Sequence, residues 1–191
     1  MPNKRKEQII QAAVKRFSAQ GLGKTTLDEI VGDIRIGKAT IYHYFESKDQ
    51  LFFEALKWET NEFIDDIKAI FNNTALAVGA RFLEYISYKE NIDLHYKLIF
   101  NLMIQFVNDN SPANEKELLT NMLRREEEII KLVLNSIYST RIETMNELLP
   151  NFIATSSWGA FFSSKINRIS NPGKVISSKD FVFKSLENIL S

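Results

Sequence analysis

The chain has 191 residues, with 24 basic and 24 acidic residues and therefore no net charge when histidine is neutral. This balance excludes a uniformly basic nucleic-acid coat protein, and 45% apolar with 25% charged residues excludes a disordered chain. The lack of cysteine excludes disulfides, zinc–thiolate sites and thiol nucleophiles, and no apolar run approaches the roughly 18 residues of a membrane span.

Helical periodicity and helix-capping patterns predict an all-α chain with about nine helices. The first helix carries an apolar face over residues 9–17 and is expected to end at Gly21. Thr26 with Glu29 and Ser47 with Gln50 form two capping-box patterns, which place helix starts at both sites. The predicted helices of the N-terminal part therefore cover residues 9–20, 26–34, 37–45 and 47–71.

The rest of the chain continues in the same way. Apolar spacing predicts helices over residues 76–86, 94–106, 118–137, 146–169 and 177–190. Pro150 is expected in or near the first turn of the eighth helix, where its missing N–H costs little. If that helix instead begins near Thr140, Pro150 is expected to kink it. The charged run 124–128 is interpreted as a solvated face.

Charge and aromatic content divide the chain into two domains, residues 1–48 and residues 49–191. The first 48 residues carry nine basic and five acidic side chains, a net charge of +4 that leaves −4 for the remainder. Twelve of the 14 phenylalanines and both tryptophans lie after residue 48. These patterns predict a basic domain for an anionic partner and a second domain with a large core or an apolar cavity.

The predicted helices 26–34 and 37–45 are joined by a turn of about three residues, which is the spacing of a DNA-binding helix-turn-helix. The second helix of this pair carries several polar and aromatic side chains that are poorly suited to a core. Such side chains can donate to phosphates and contact base edges and thymine methyl groups in a groove.

The motif becomes more specific when its residues are read in order. The stretch GKATIYHYFESKDQL at residues 37–51, with TTLDEI at 25–30 and the first helix with Phe17 and Gly21, resembles the signature of TetR/AcrR transcriptional regulators. The resemblance covers about 55 residues. It implies an N-terminal three-helix DNA-binding domain, a C-terminal helical ligand-binding and dimerisation domain, and a homodimer on a palindromic double-stranded DNA operator.

The resemblance also implies which residues contact DNA. They are Thr26, Arg35, Lys38, Thr40, Tyr42, His43 and Lys48. Thr26 is equally well explained by its capping role, and a satisfied polar contact within the domain is an alternative for His43. The family usually has glycine where Arg35 stands, so a left-handed backbone there is expected to cost about 1 kcal/mol unless the turn geometry differs. We hypothesise that Arg35 reaches a DNA phosphate, and Gly37 is expected to be a weak helix cap.

The resemblance places an effector cavity among the fourth to eighth helices. Candidate lining residues are Trp58, Thr60, Phe63, Phe82, Tyr85, Tyr96, Phe100, Met103, Phe106, Met122 and Trp158. The alternative for each aromatic residue is ordinary core packing. Asn101 and Gln105 lie beside the apolar stripe of the predicted sixth helix. They are expected either to orient an amphipathic ligand or to face solvent.

Small residues crowd the eighth helix beside large aromatic residues, a pattern that lets helix axes approach closely. With the last helix, it predicts a four-helix dimer interface of the family kind. The interface residues are expected to be Ser156, Gly159, Ala160, Ser163, Phe183, Leu186 and Leu190. Packing of the same face within one chain is the alternative.

We find no phosphate-binding glycine loop, nucleophile elbow or metal-ligand cluster, so neither an enzyme, a metal site nor a cofactor is expected. We predict a cytoplasmic, ligand-responsive regulator, a repressor released from its operator by a small apolar or aromatic effector, with no membrane partner. Two alternatives remain. One is a constitutive or activating regulator without a small-molecule effector, and the other is a helical protein-interaction module.

Overall fold

The structure is a computed structural model that describes residues 2–108, 111–137, 143–170 and 184. Within these residues the regular elements are α-helices, as the sequence predicts. They are α1 (Pro2–Lys24), α2 (Leu27–Ile34), α3 (Lys38–Tyr44), α4 (Lys48–Asn72), α5 (Val78–Glu90), α6 (Ile92–His95), α7 (Lys97–Val107), α8 (Ala113–Ile137) and α9 (Glu143–Ser170). The predicted helix 177–190 lies outside the described residues except for Lys184. None of the helices described combines the length and apolar character that crossing a membrane requires.

The chain divides into two compact units. The first unit contains residues 1–63 and 96–119, and the second contains residues 64–95 and 120–191. Helices α4 and α8 therefore contribute residues to both units. The predicted functional boundary after residue 48 is a different kind of division and stays a prediction.

The core of the first unit joins α1, α2, α3 and the beginning of α4. Phe17, Ile30, Ile41 and Leu51, one from each helix, are fully buried. The ring of Phe17 meets Phe52 edge to face, with 5.1 Å between centroids. Each buried side chain of this size contributes about 1.5–3 kcal/mol of hydrophobic free energy, so these contacts hold the short helices α2 and α3 in place.

Gly21 interrupts α1, where the sequence predicts that the helix ends. Its backbone lies at φ 77° and ψ 167°, a conformation that glycine adopts easily, and helical hydrogen bonding then continues to Lys24. The hydroxyl of Thr25 donates to the Gly21 carbonyl at 2.8 Å. The break therefore turns the chain toward α2, and the Gly21 carbonyl at the break still accepts a hydrogen bond from Thr25.

The turn between α2 and α3 has a left-handed residue at the position where the family resemblance implies glycine. Arg35 lies at φ 53° and ψ 52°, and the Ile36 N–H donates to the Val31 carbonyl at 3.1 Å. This is the closing hydrogen bond of a Schellman motif, in which glycine is the usual left-handed residue. Gly37 begins α3 without a side-chain hydrogen bond, which agrees with its expected weakness as a cap.

Two expectations about the later helices are wrong. The predicted helix 94–106 is two helices, α6 and α7, separated by Tyr96 at φ −128° and ψ 67°. Pro150 occupies the eighth position of α9 instead of its first turn, because α9 begins at Glu143. At that position the proline removes one hydrogen bond from the helix interior.

In the second unit, α5 packs against α9 and an aromatic cluster fills the end of α4. The ring of Phe71 lies 5.0 Å from that of Phe82 and 5.2 Å from that of Tyr85, measured between centroids. Phe82 and Tyr85 are fully buried. The last turns of α4 are therefore joined to α5 by aromatic contacts, together with hydrogen bonds from Arg81 to the Phe71 carbonyl and from Tyr88 to Asp66.

Replacement of Arg35 by glycine is expected to stabilise the protein by about 0.5–1 kcal/mol, since glycine removes the left-handed strain but adds freedom to the unfolded chain. Urea unfolding of wild type, Arg35→Gly and Arg35→Ala measures this effect. Alanine keeps the strain without the guanidinium and is expected to give no gain. An Arg35→Gly protein that unfolds more easily than wild type contradicts the strain argument.

Candidate nucleic-acid interface and effector-binding residues

Helix α3 presents nearly all of its surface away from the core. Ile41 is its one buried residue, and Phe45 is buried immediately after the helix. Tyr42 is 53% exposed, and Lys38 and His43 are also exposed. Because only Ile41 and the following Phe45 attach this helix to the core, its exposed face can enter a groove without disturbing the core.

The remaining predicted DNA-contacting residues lie on or beside this surface. Thr40 is half-buried in α3, and the rings of His43 and Tyr44 make an edge-to-face contact with centroids 5.0 Å apart. This is a ring contact and not the polar contact that is the alternative for His43, so the choice between the two roles stays open. Arg35 is exposed, and its guanidinium has no ion-pair partner in the part of the chain that the structure describes.

Lys38 is paired with an acidic neighbour on α2. Its ammonium lies 2.9 Å from the Asp28 carboxylate, and this hydrogen bond, with the charge of Asp28, raises the pKa of Lys38. The pair is exposed, so it contributes little stability. A DNA phosphate at this place would compete with Asp28 for the lysine.

Thr26 forms the predicted capping box. Its hydroxyl accepts from the Glu29 N–H at 3.3 Å, and its own N–H donates to the Glu29 carboxylate at 2.8 Å. The hydroxyl also donates to the Glu29 carboxylate at 2.9 Å, and the hydrogen bonds that this carboxylate receives from the Thr26 N–H and hydroxyl lower the pKa of Glu29. The capping role accounts for Thr26 by itself, and its contact with phosphate stays a prediction.

Lys48 holds the junction between α1 and α2. Its ammonium donates to the Leu22 carbonyl at 2.8 Å and to the Thr25 carbonyl at 3.1 Å. An ammonium has three donors, so one is left for a phosphate. The predicted phosphate contact of Lys48 is therefore compatible with a second role in positioning the helices.

The sequence analysis missed two residues that position α2. Arg16 binds Asp33 through two hydrogen bonds of 2.6 and 2.5 Å, and Thr25 is buried with its hydroxyl on the Gly21 carbonyl. The first threonine of TTLDEI is the sequence signal for Thr25. Arg16 and Asp33 are 17 residues apart, and no local pattern indicates their pairing.

The predicted effector residues fall in both units. In the first unit are Trp58, Thr60, Phe63, Tyr96, Phe100, Met103 and Phe106, and in the second are Phe82, Tyr85, Met122 and Trp158. Most are buried; Trp58 and Phe100 are half-buried, and Phe106 is 37% exposed. The Thr60 hydroxyl donates to the Lys57 carbonyl at 2.9 Å, an ordinary contact within a helix. Their role in binding an effector stays a prediction.

Glu59 of α4 explains the break before α7. This carboxylate is 2% exposed and accepts from the Ile99 N–H at 2.7 Å, in the first turn of α7. Burial raises the pKa of Glu59 to about 7, against the opposing effect of the Ile99 and Leu98 N–H groups. The free N–H groups at a helix N-terminus attract a carboxylate, so Glu59 fixes where α7 begins.

A second buried carboxylate, Glu126 of α8, collects hydrogen bonds in the second unit. It accepts from the Tyr85 hydroxyl, from the Lys89 ammonium and from the Trp158 indole N–H, the last at 3.2 Å. Ser157 extends the cluster through a 2.9 Å contact with the Tyr85 hydroxyl. Glu126 and Lys89 are both fully buried, so the interpretation of residues 124–128 as a solvated face is wrong at Glu126.

Lys89 lies against an aromatic ring as well as its carboxylate partner. Its ammonium is 3.6 Å from the centroid of the Trp158 ring, within cation–π range. Burial lowers the pKa of Lys89 to about 8, although Glu126 opposes the change. Burial and the charge of Glu126 also raise the pKa of Tyr85 well above its ordinary value.

One face of α9 carries large apolar side chains that are exposed on the single chain. Leu148 is 73%, Phe152 52% and Ile166 60% exposed, and Gly159 lies on the same helical face. The predicted interface residues Ser156 and Ser163 are half-buried. The Ala160 side chain and the residues Phe183, Leu186 and Leu190 lie outside the described part of the chain.

Comparison with known proteins identifies the N-terminal part. Residues 9–55 match the family model of bacterial regulatory proteins, tetR family. Residues 9–55 are therefore similar to the DNA-binding part of TetR-family regulators. This match contains the whole helix-turn-helix, including Arg35 and the open face of α3.

Individual relatives agree with this assignment. Over 60 residues the chain is 35% identical to IcaR of Staphylococcus epidermidis, a negative regulator of the biofilm operon icaADBC, with 31% of this chain and 32% of that protein covered. Matches span about a third of the length of the curated relatives, 35% and 32% for the first two. These relatives and the TetR family are transcriptional regulators, not enzymes.

Solved structures show the TetR fold over nearly the whole chain. The reduced form of NemR from E. coli superimposes with a TM-score of 0.74 at 15% identity, covering 97% of both chains. FadR from Bacillus subtilis, in complex with stearoyl-CoA, gives a TM-score of 0.66 at 16% identity, also covering 97% of both chains. At this identity the likeness concerns the fold alone.

Metal binding has no support in the described residues. No group of three or more histidine and acidic side chains there is placed to hold a metal ion. The buried carboxylates have other partners: Glu59 accepts from α7, and Glu126 accepts from Lys89, Tyr85 and Trp158.

Glu59→Gln is expected to change how stability depends on pH. Because burial raises the pKa of Glu59 from 4.5 to about 7, the folded chain binds more protons, and stability is lost as pH rises between these values. The loss amounts to at most about 3 kcal/mol. Glutamine keeps an acceptor for α7 without titrating, so the variant is expected to show a flatter profile and greater stability than wild type at pH 8.

Urea unfolding at several pH values between about 5 and 8 measures this difference. Glu62→Gln, an exposed change on the same helix, is the matched control and is expected to follow wild type. Parallel profiles for Glu59→Gln and Glu62→Gln contradict the account of Glu59.

Proposed function

We propose that the protein is a cytoplasmic transcriptional repressor that binds a palindromic DNA operator as a homodimer and is released by a small apolar or aromatic effector. The open face of α3 carries this proposal. Ile41 attaches the helix to the core, and Lys38, Tyr42 and His43 remain exposed. Side chains of this kind on a short exposed helix suit a major groove.

Different residues have different tasks in this proposal. Thr40, Tyr42 and His43 contact base edges, and Lys38 leaves Asp28 for a phosphate. Arg35 and the third donor of Lys48 reach phosphates on either side of the groove, and Thr26 contributes its hydroxyl. Phosphate contacts position the helix and supply affinity, whereas base contacts supply specificity.

The exposed face of α9 supports the homodimer. Leu148, Phe152 and Ile166 expose apolar area along one line, and Gly159 lets a second helix approach closely there. We infer that the interface includes this line with Ser156, Ala160 and Ser163, and that Phe183, Leu186 and Leu190 complete it. A two-fold dimer uses the same patch on both copies, which matches a palindromic operator.

The effector is proposed to bind among the predicted aromatic residues. FadR contains an acyl-CoA in the same fold, which supports an effector with a large apolar part. In the second unit, the Tyr85 hydroxyl and the Trp158 indole N–H donate to Glu126, so polar groups lie beside aromatic rings there. Effector and operator are linked, so each weakens the binding of the other by the same factor.

Repression is favoured over activation by the name of one relative, since IcaR is a negative regulator. The rival functions keep specific expectations. A constitutive regulator binds the same DNA without responding to any small molecule. An interaction module shows no salt-dependent, sequence-specific binding to duplex DNA.

The proposal predicts specific DNA binding that falls steeply with salt. Fluorescence anisotropy of the full-length protein with the intergenic DNA beside its own gene, against a scrambled duplex, measures this. If Arg35, Lys38 and Lys48 of both protomers contact phosphate, six contacts make the affinity fall about 10³-fold between about 50 and 200 mM salt. Lys38→Gln is expected to reduce the slope by about two units per dimer.

Lys68→Gln is the matched control, because Lys68 is an exposed lysine of α4 paired with Asp65 and lies outside the helix-turn-helix. It is expected to leave the slope unchanged. Equal affinity for both duplexes, together with equal slopes for the two lysine variants, contradicts a DNA-reading function.

A further inference from the structure

A cleft of about 420 Å³ lies within the first unit. Its walls come from α1, α4, α7 and the beginning of α8, and they are largely apolar, with Phe52, Leu56 and Leu102 among them. Asn101 and Gln105, which the sequence analysis connects with an amphipathic ligand, line it, whereas none of the predicted cavity-lining residues does. Its volume is within the range of sites that bind small molecules, roughly 300–1,000 Å³.

Three polar side chains interrupt the apolar walls. Asn101 and Gln105 are one turn apart on α7, and Glu115 of the first turn of α8 lines the same cleft. None of the three side chains has a hydrogen-bond or ion-pair partner among the described residues. Glu115 is half-buried, and burial raises its pKa above the ordinary value.

Glu115 is the one ionisable residue among those lining the cleft. The charge expected of a ligand therefore depends on this carboxylate. A partly desolvated carboxylate without a cationic partner favours a bound cation and disfavours a bound anion. The amide oxygens of Asn101 and Gln105 add acceptors for N–H donors. An apolar surface beside one such group suits a molecule with an apolar body and one ammonium head.

We propose that this cleft binds a small amphipathic cation, with its ammonium group at Glu115, Asn101 and Gln105 and its apolar body along Leu56 and Leu102. This occupant would also contact α1 after its break, since Gly21 and Leu22 belong to the same cleft. Binding of the cation stands on this geometry alone. An effect on DNA rests on the proposed function.

The cleft reaches the junction that positions the helix-turn-helix. The Leu22 carbonyl accepts from the Lys48 ammonium at 2.8 Å, and Leu22 also lines the cleft. An occupant that displaces Leu22 therefore changes the setting of α2 and α3 relative to α4. We infer that the cation modulates operator binding from this cleft, in addition to any effector bound among the aromatic residues.

Decylammonium, decanoate and decanol below their aggregation concentrations are suitable probes, since they share one apolar chain and differ in the head. Isothermal titration calorimetry with the full chain is expected to show decylammonium binding more tightly than decanol and decanoate binding least. In Glu115→Gln, affinity for decylammonium is expected to fall about tenfold or more, as for loss of one charge-assisted contact, with decanol unchanged. Glu117→Gln, an exposed change on the same helix, is the control and should bind like wild type.

A second variant tests the location. Gln105→Trp fills the cleft from an exposed position and is expected to abolish binding of both decylammonium and decanol while the unfolding midpoint is kept. No decylammonium binding to wild type, equal affinity in Glu115→Gln and Glu117→Gln, or unchanged affinity in Gln105→Trp each overturns the proposal. If wild type binds decylammonium but does not bind operator DNA, the result counts against the proposed DNA-reading function and leaves the cation site standing.

Discussion

The hydrogen bonds at the junction of α1 and α2 are the constraint on which the DNA-reading surface depends. A helix of seven residues such as α3 is not stable in isolation, so its position comes entirely from the elements around it. The ammonium of Lys48 joins α4 to the carbonyls of Leu22 and Thr25, and the Thr25 hydroxyl secures the break at Gly21. Any change in this junction moves α2, and α3 moves with it through the tight turn at Arg35.

Buried charge is used differently in the two units. In the first unit, Glu59 receives only backbone N–H groups, and it sets the beginning of α7. In the second unit, Lys89 and Glu126 neutralise each other, with Tyr85 and Trp158 filling the remaining positions around the carboxylate. Burying such a pair costs desolvation free energy that its attraction only partly repays. The Lys89–Glu126 pair therefore contributes less stability than its close contact suggests.

Local features of this fold could be predicted from the sequence, and distant pairings could not. The capping box at Thr26 and the short exposed α3 follow from residues within a few positions of each other, whereas the left-handed position at Arg35 is indicated only by the family resemblance. Glu59 and Ile99 are 40 residues apart, and Lys89 and Glu126 are 37 apart, so no local pattern connects either pair.

The buried charges nevertheless left one usable signal. Lys89 stands on the apolar stripe of α5, one turn after the buried Tyr85 and Ile86, and Glu126 stands midway between the buried Met122 and Ile130 on α8. A charged residue at a core position of a helical pattern indicates a buried ion pair. The pattern predicts that the charged residue is buried, but it does not identify the partner, because tertiary packing determines which residue lies opposite.

The most direct test of the account is the ratio of dissociation constants for operator and scrambled duplex, measured at one salt concentration in wild type, Tyr42→Ala and Tyr42→Phe. If the open face of α3 reads bases, Tyr42→Ala lowers the ratio about tenfold or more and leaves affinity for the scrambled duplex nearly unchanged. Tyr42→Phe separates the contribution of the ring from that of the hydroxyl. An unchanged ratio in Tyr42→Ala would contradict the claim that this face reads DNA.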